Sequence, residues 1–311
     1  MNSEKKVVLV SGVAGFIGRY VARYFTQNQW SVVGIDSSPK ENAPLASLHS
    51  YHQMRLPDFQ LGELLQHCQP QVYIHCIGRA SVNLSMVNPD ADFYGNVVPT
   101  FEVLNAIRLH APDCRSIFLS SAAVYGDPSC LPVSEDHAIQ PLSPYGFHKW
   151  QGEQLCLEFS KIYGLATASA RIFSAYGPGL RRQVIWDICQ QVISQKSLHL
   201  QGTGKESRDF IHALDIAQAL SLICEKAPLQ GEAYNLGSGR EISILELSTL
   251  VLDVLDCDCS PSFNNIVAEG NPRNWRADIS RSKALGFLPS VLFEQGIKTF
   301  ALWCRAELLG V

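Results

Sequence analysis

A tyrosine and a lysine stand four residues apart in the segment SPYGFHKW, residues 143–150. If this segment is helical, Tyr145 and Lys149 project from the same face, one turn apart. A free phenol has a pKa of about 10, and a neighbouring ammonium ion favours its ionised form and so lowers that pKa. The pair could therefore serve as an acid–base site, although the same spacing also arises by chance on helices.

A glycine-rich segment near the N-terminus has the spacing of a dinucleotide-binding loop. In VVLVSGVAGFIGRY, Gly12, Gly15 and Gly18 directly follow an apolar strand and open a helical pattern. The first glycine permits a tight turn, the second a close approach of backbone to a pyrophosphate, and the third close packing of helix on strand. The N–H groups at the helix start, around Phe16 and Ile17, favour an anion. This context predicts a cofactor site rather than a turn without a ligand.

An acidic residue closes the next predicted strand. SVVGID ends at Asp36, eighteen residues after Gly18. A carboxylate at this place can accept both ribose hydroxyls of NAD and would repel the 2′-phosphate of NADP. No arginine is present in the next four residues, 37–40, to receive that phosphate, so the sequence predicts NAD. The alternative is that Asp36 caps the following turn.

The composition is that of a globular chain and excludes several classes of partner. Of the 311 residues 46% are apolar and 17% charged, and the net charge is −4. Without a basic run, neither nucleic acid nor an anionic membrane surface is expected as a partner. The apolar N-terminal run stops too early for a signal peptide or a membrane span. We expect a cytoplasmic protein with reduced cysteines, and no metal site, because Cys257 and Cys259 lack further ligands nearby.

Strands and helices alternate along the first half, which predicts an α/β fold with a Rossmann-type, doubly wound parallel sheet. Strands are predicted at 6–12, 31–36, 71–78, 114–121 and 165–177, and helices at 16–27, 100–111 and 145–164. Beyond them we expect helices at 185–194, 213–225 and 242–255, and strands at 198–202 and 232–239. Residues 1–176 are predicted to form the NAD-binding domain. Residues 177–311 are predicted to form mainly a smaller mixed α/β substrate lobe, with some segments returning to the core.

Several motifs in order give the chain a resemblance to a known family. Besides the glycine loop and YGFHK, they are IHCIG (74–78), NPDADFYGNVVPT (88–100), SSAAVYG (120–126), RIFSAYGPG (171–179), SRDFIHALDIAQAL (207–220), AYNLGSG (233–239) and ADISRSKALGF (277–287). With them the chain resembles the extended short-chain dehydrogenases/reductases. More narrowly, it resembles the NAD-dependent nucleotide-sugar epimerase/dehydratase family, in particular enzymes like UDP-glucose 4-epimerase.

The resemblance implies a role for individual residues. Tyr145 would be the acid–base group at the sugar hydroxyl, Lys149 would bind the nicotinamide ribose, and Ser121 would share the proton of the reacting hydroxyl. The implied cofactor contacts also include Gly78 and Asn96. Implied substrate contacts are Ser121, Ser174 and Arg208, the last at the diphosphate, where a guanidinium suits bidentate binding. As an alternative, Arg208 could pair with Asp209 in a structural bridge. The resemblance further implies a homodimer formed by the helices near 90–109 and 145–163.

The two residues after Ser121 discriminate between reactions. Related dehydratases place an acidic pair there and decarboxylases a glutamate, whereas Ala122 and Ala123 cannot transfer a proton. We therefore expect a nucleotide-sugar 4-epimerase that oxidises C4 transiently and returns the hydride to the opposite face. One alternative is an NAD(P)H-dependent reductase of nucleotide 4-keto-sugars. The other is a protein that binds NAD without chemistry, which the retained tyrosine and lysine disfavour.

The sequence departs from the family pattern at several positions. Arg55 stands where an aspartate near the adenine is usual, so Asp58 is not assigned that role. Ser174 replaces an asparagine near the substrate phosphates, and Arg79 adds a charge near the cofactor loop. The usual RPGD motif is AEGN at 268–271, and Arg273 or Arg276 could compensate for its arginine. The nucleotide therefore stays open among UDP, GDP, CDP and dTDP, as does the sugar. The arginines of GPGLRRQ, Arg181 and Arg182, are either further substrate contacts or solvated.

Overall fold

The computed structural model describes residues 6–266, 270 and 272–310. The strands of this part are β1 (Val7–Ser11), β2 (Ser31–Asp36), β3 (Ser50–Gln53), β4 (Val72–His75), β5 (Arg115–Ser121), β6 (Thr167–Ile172), β7 (Ser174–Tyr176), β8 (His199–Leu200), β9 (Ser207–Arg208), β10 (Phe210–His212), β11 (Gln230–Leu236), β12 (Ile242–Ser243) and β13 (Ser262–Phe263). The helices are α1 (Phe16–Gln27), α2 (Gln60–Cys68), α3 (Val82–Val87), α4 (Pro89–His110), α5 (Pro144–Tyr163), α6 (Gln183–Gln195), α7 (Ala213–Lys226), α8 (Ile244–Leu255), α9 (Ser280–Ala284) and α10 (Phe293–Leu309).

Seven strands form one parallel sheet in the order β11-β6-β5-β4-β1-β2-β3. The strand order reverses between β1 and β4, which is where open α/β sheets bind ligands at the carboxyl ends of their strands. The glycine loop follows β1, Asp36 ends β2 and Ser121 ends β5. These predicted site residues therefore share one edge of the sheet. The predicted α/β fold with a doubly wound parallel sheet is confirmed.

Helices cover both faces of this sheet, and alternate side chains of β1 show the division. Val8 and Val10 belong to a core cluster that also contains Phe25 of α1 and Leu220 of α7. Leu9, between them, belongs to the cluster on the other face, with Leu104 of α4. Successive strand residues point to opposite faces, so a strand buried on both sides must be apolar throughout. The run VVLV meets this requirement.

A second body of structure lies in the C-terminal part of the chain. Its core joins apolar side chains of α6, α8 and α10, such as Ile185, Leu247 and Phe300. Short strand pairs accompany these helices, β7 with β10 and β9 with β12. Strand β11 instead joins the large sheet beside β6. Within the described part of the chain, no helix combines the length and the apolar character that crossing a membrane requires.

Several predicted boundaries were wrong, and three of them have a local reason that the structure shows. Helix α4 begins at Pro89 rather than at residue 100, because the Asn88 side chain accepts a hydrogen bond from the N–H of Ala91 and caps it. The predicted strand 165–177 is interrupted at Phe173, where the chain leaves the large sheet and β7 pairs with β10. The predicted helix 242–255 begins at residue 244, because Ser243 is its N-cap.

Candidate active site

The glycine loop brings three backbone segments too close together for side chains. A Cβ atom built on Gly18 would lie 2.1 Å from the Gly12 carbonyl oxygen, and one on Gly12 would lie 2.8 Å from the Cys76 carbonyl carbon. Gly12 also has φ of +72°, which favours glycine. Helix α1 starts at Phe16, with Ile17 next, and the first N–H groups of a helix have no acceptor within it. This backbone arrangement fits a pyrophosphate.

Asp36 holds the glycine loop in place. It ends β2 at the carboxyl edge of the sheet, which we call the cofactor edge. Its Oδ2 accepts a hydrogen bond from the N–H of Ala14 at 3.0 Å, and its Oδ1 accepts one from the N–H of Ser38 at 2.9 Å. The capping alternative thus describes a contact that exists. A carboxylate oxygen can accept more than one hydrogen bond, so these contacts leave acceptor capacity for ribose hydroxyls. The ribose role of Asp36 stays a prediction.

Gly78, Asn96 and Lys149, predicted from separate motifs, converge at one point. A Cβ atom on Gly78 would lie 2.6 Å from Asn96 Oδ1 and 3.0 Å from Lys149 Nζ. Asn96 is buried, and its Nδ2 donates to the Asp92 carbonyl at 3.0 Å and the Arg79 carbonyl at 3.2 Å. Its Oδ1 is buried without a hydrogen-bond partner among the described residues. An unsatisfied buried acceptor beside an ammonium group fits a site that a polar ligand completes.

The tyrosine and the lysine lie on one helical face, as the sequence predicts. Helix α5 begins after Ser143, whose side chain accepts the N–H of Gly146 at 3.2 Å. Tyr145 is held at this end, because its N–H donates to Ser85 Oγ at 3.1 Å. Lys149 Nζ donates to the Leu119 carbonyl at 2.9 Å and lies 5.9 Å from the centroid of the Tyr145 ring. The cap and the turn of helix therefore position both groups beside β5.

The two serines at the end of β5 have different surroundings. Ser120 Oγ is buried and donates to Glu153 Oε1 at 2.5 Å. Ser121 Oγ accepts the N–H of Ala123 at 3.2 Å and lies close enough to the Tyr145 hydroxyl to lower its pKa. The structure thus places Ser121, rather than its neighbour Ser120, beside the tyrosine.

Burial shifts the pKa of both groups of the helix pair. It lowers the pKa of Lys149 to about 8, against the attraction of Asp92, which raises it. It raises the pKa of Tyr145, against the hydrogen bond to Ser121 and the charge of Arg182, both of which lower it. The expected lowering of the Tyr145 pKa is therefore wrong for the protein chain by itself, because desolvation outweighs the neighbouring charges. The positive charge of an oxidised nicotinamide is the remaining contribution that would lower it.

Two of the predicted substrate residues, Ser174 and Arg208, lie on short strands outside the large sheet. Arg208 Nη1 donates to the Ser207 carbonyl at 2.7 Å and the Arg273 carbonyl at 3.2 Å. Its guanidinium lies 5.5 Å from the centroid of the Trp275 ring, and burial lowers its pKa to about 10. Ser174 is half-buried on β7. None of these contacts neutralises the charge of Arg208, so an anionic ligand can pair with it.

The alternative bridge between Arg208 and Asp209 is excluded. The Asp209 carboxylate accepts hydrogen bonds from the N–H and hydroxyl of Ser238 and from the N–H groups of Gly239 and Ala277, all between 2.6 and 2.9 Å. Three of these bonds fasten the segment after β11 to Asp209, which directly precedes β10, and the fourth fastens Ala277 to it. Asp209 is thus structural, and Arg208 points elsewhere.

The other arginines that the sequence singled out separate into two groups. Arg181 is paired with Glu307 and stacks on Trp303, so it supports the C-terminal lobe. Arg182 Nη1 donates to the Ala80 carbonyl at 2.7 Å and acts on Tyr145, which places it beside the site.

The departures from the family pattern have the following surroundings. Arg55 is exposed, and Asp58 Oδ1 accepts the N–H of Gln60 at 2.9 Å at the start of α2. The side chain of Arg79 packs against Gly95. Arg273 is 77% exposed beside Asp127. The segment AEGN lies outside the described residues except for Gly270.

A buried acid–imidazole pair next to Lys149 was not predicted. Asp92 of α4 and His148 of α5 contact each other through Oδ2 and Nδ1 at 2.6 Å. His148 directly precedes the lysine in the sequence, but its partner lies 56 residues away, and no spacing rule joins the two. The i, i+4 relation between Asp92 and Asn96 was the one available signal that Asp92 faces the site.

With this geometry in place, comparison with known proteins identifies the family. The model of the NAD dependent epimerase/dehydratase family matches residues 8–237. The chain belongs to this family. The match contains the glycine loop, Asp36, Ser121, Tyr145 and Lys149, and it confirms the family that the motifs predict.

Individual relatives agree over nearly the whole length. The chain is 29% identical to the UDP-glucose 4-epimerase of Mycolicibacterium smegmatis over 93% of this chain and 95% of that protein. The structure of the UDP-glucose 4-epimerase of Thermotoga maritima with UDP-glucose gives a TM-score of 0.87 at 25% identity, covering 97% and 99% of the two chains. That of the UDP-glucuronic acid 4-epimerase of Bacillus cereus with UDP-glucuronic acid and NAD gives 0.89 at 27% identity, with the same coverage.

Proposed function

We propose that this family member is an NAD-dependent 4-epimerase of a UDP-sugar. The observation that carries the proposal is the composition of the site around Tyr145. Ser121 contacts the tyrosine, while the next two residues, Ala122 and Ala123, are buried and carry no acid. Elimination of water or loss of carbon dioxide would need a further proton donor or acceptor there. Oxidation and reduction at one carbon need none beyond the tyrosine and the serine.

The roles of the residues follow from their placement. The glycine loop and Asp36 would hold NAD, which when bound would supply reversible hydride exchange at C4 of the sugar. Tyr145 takes the proton of the C4 hydroxyl and gives it back, and Ser121 holds that hydroxyl in line with the phenol. Lys149 supplies a positive charge next to the phenol and a donor for the nicotinamide ribose.

The backbone of the cofactor edge supports NAD as the group that the chain holds. The close glycine loop leaves room for a pyrophosphate, and Asn96 Oδ1 lacks a partner among the described residues. Asp36 favours NAD over NADP, since its carboxylate repels a 2′-phosphate. We therefore expect tight NAD binding and weak NADP binding.

Arg208 supports a diphosphate-linked substrate. Arg208 lies on the short strand β9 and stacks on Trp275. Among the described residues no carboxylate contacts its guanidinium. A planar guanidinium binds a diphosphate through two parallel hydrogen bonds. We propose UDP as the nucleotide, because the two similar structures described above were solved with UDP-sugars. We further propose that residues 1–176 mainly bind NAD and that residues 177–311 mainly bind the substrate.

We also propose a homodimer through α4 and α5. Both helices expose large apolar side chains: Tyr94 and Phe101 on α4, and Phe147 and Ile162 on α5, are 46–70% exposed. Ile162→Glu should convert a dimer into monomers, as measured by light scattering after size-exclusion chromatography. Leu288→Glu, a control at another exposed apolar position, should leave the dimer unchanged. A wild-type monomer at every concentration would contradict the proposal.

The activity is tested by incubating the purified protein with UDP-sugars without added NADH. UDP-glucose, UDP-N-acetylglucosamine and UDP-glucuronate, and their C4 epimers, would be followed by proton NMR. The proposal predicts conversion between C4 epimers of at least one pair, with no net change in NADH absorbance. Consumption of NADH with a UDP-4-keto-sugar, and no epimer, would show a reductase instead. Tests with GDP-, CDP- and dTDP-sugars determine the nucleotide.

A further inference from the structure

Asp92 and His148 form a pair whose function no motif assigns. The Asp92 side chain is 1% exposed, and its Oδ2 contacts His148 Nδ1 at 2.6 Å. Its other oxygen, Oδ1, is buried and has no hydrogen-bond partner among the described residues. A buried carboxylate with one unsatisfied oxygen is costly unless a nearby positive charge stabilises it.

Lys149 is that positive charge. It directly follows His148 on α5 and is 4% exposed, and its hydrogen bond goes to a neutral carbonyl, that of Leu119. Glu153 is the other carboxylate that acts on the lysine, but Arg171 neutralises it with hydrogen bonds of 2.7 to 3.2 Å. Of these two carboxylates that act on Lys149, Asp92 is therefore the one without an arginine or lysine in direct contact.

We propose that Asp92, held in place by His148, is the counter-charge of Lys149 and sets the pH range in which Tyr145 and Lys149 work. The expected effect on the reaction rate rests on the proposed epimerase function. The expected effect of the Asp92 charge on Lys149 and Tyr145 does not. Asp92 and His148 are positioning residues here, because neither contacts the expected place of the substrate. Their effect reaches the reaction through the lysine and the tyrosine.

Other titratable or charged groups also face Lys149 and Tyr145 from the neighbouring elements. They are His75 on β4, Cys76 just after it, Glu153 on α5, and Arg182 before α6. Burial keeps two of them neutral, since it lowers the pKa of His75 to about 3 and raises that of Cys76 to about 12. Arg182 acts in the direction opposite to Asp92, but it is exposed, so water and salt screen its charge.

The sign of the expected effect follows from the charge alone. An anion disfavours loss of a proton by both neighbours, so Asp92 raises the pKa of Lys149 and of Tyr145. Asp92→Asn removes the charge and keeps the shape. Catalysis needs ionised Tyr145 and protonated Lys149, so both limbs of the bell-shaped rate profile should move to lower pH, by about one unit.

The test compares the pH profiles of kcat for the NAD-loaded wild type and variants. Asp90→Asn is the matched control, because Asp90 is an exposed residue in the first turn of the same helix and should leave both limbs in place. His148→Leu should shift the limbs in the same direction as Asp92→Asn, since the Asp92 carboxylate then loses the hydrogen-bond partner that holds it in place. His148→Gln keeps a donor and should restore the wild-type limbs. A lower kcat with unmoved limbs would overturn the inference.

A second readout does not depend on activity. The ultraviolet absorbance of tyrosinate is titrated in the NAD-loaded wild type, and the curve of Tyr145→Phe is subtracted to isolate Tyr145. The same subtraction is then made between Asp92→Asn and the double variant that also carries Tyr145→Phe. The midpoint of this second curve should lie at lower pH than that of the first, and an equal midpoint would contradict the proposed counter-charge. If the protein proves inactive on all sugars, the epimerase proposal fails while this titration still decides the inference. If Asp92→Asn does not fold, the two His148 variants provide the same comparison.

Discussion

The cofactor edge and the substrate side of the molecule differ in what defines them. At the cofactor edge, close contacts of backbone fix the residues: Gly18 has no room for a Cβ atom, and Asp36 fastens the loop. On the substrate side, Arg208 lies on a two-residue strand and depends on side-chain neighbours such as Trp275. The departure from the family pattern at Ser174 falls on this second side. Backbone geometry permits few residues, whereas side-chain contacts can be replaced.

The largest effect should come from Tyr145→Phe, which removes one oxygen from the cofactor edge. We expect kcat to fall by about 10²–10⁴-fold, because no other group can take the C4 proton. NAD should stay bound, since the loop and Asp36 are untouched. Rates from NMR and NAD content after denaturation would check both. Activity within about tenfold of wild type would rule out the tyrosine as the acid–base group.

A backbone change at the cofactor edge should be the next in size. In Gly18→Ala the new Cβ would collide with the Gly12 carbonyl, so we expect about 3 kcal/mol lower stability and loss of NAD. The control is Gly164→Ala at the end of α5, with φ of +72° and no atom within 4 Å of the new Cβ. It should cost about 1 kcal/mol and keep NAD. Denaturant unfolding and the NAD content released on denaturation provide the measurements, and equal losses in both variants would remove the distinction.

A side-chain change on the substrate side should act on binding alone. We expect Arg208→Ala to raise KM for the nucleotide-sugar by about 10–100-fold, because a charge-assisted contact with the diphosphate is lost. NAD content should be unchanged. Arg305→Ala, which removes the same charge from an exposed position on α10, should change KM less than about twofold. If the two variants behave alike, Arg208 does not bind the diphosphate.

The smallest expected effect is a change in the free energy of unfolding that comes from Lys149 at the cofactor edge. Burial lowers the pKa of Lys149 to about 8, below the value of about 10.4 for an unfolded lysine. The unfolded chain thus binds more protons between these values, so the charged lysine destabilises the fold below about pH 8, and the cost fades as pH rises. The urea midpoint of the cofactor-free wild type should therefore rise between about pH 8 and pH 10, and this rise should be smaller in Lys149→Met. Midpoints that rise equally with pH in the two proteins would show that Lys149 does not cause the change.

The sequence predicts that the glycine loop and Asp36 lie together, as the structure shows, because the signals for them are local. The glycine loop and Asp36 lie within one strand–helix–strand unit, and Ser143 and Pro144 mark the start of α5. The earlier start of α4 was not predicted, although Asn88 followed by a proline is a strong start signal. The signal for this helix start is therefore present in the sequence and was overlooked.

Other features of the site could not be predicted from the sequence, because they depend on contacts between distant segments. The pair of Asp92 and His148 joins two helices, and the contact of Arg208 with Trp275 joins residues 67 positions apart. The pKa of Tyr145 depends on burial, which the motif does not encode. Motifs predict which groups are present, and packing determines their charge state.

The central claim is that hydride leaves and returns to the same C4 atom without entering water. The most direct measurement uses a UDP-sugar carrying deuterium at C4, incubated with the NAD-loaded protein in ordinary water. We predict that the C4 epimer appears in the NMR spectrum and that it retains the deuterium at C4. An epimer in which hydrogen has replaced that deuterium, or no epimer with any UDP-sugar tested, would contradict the account.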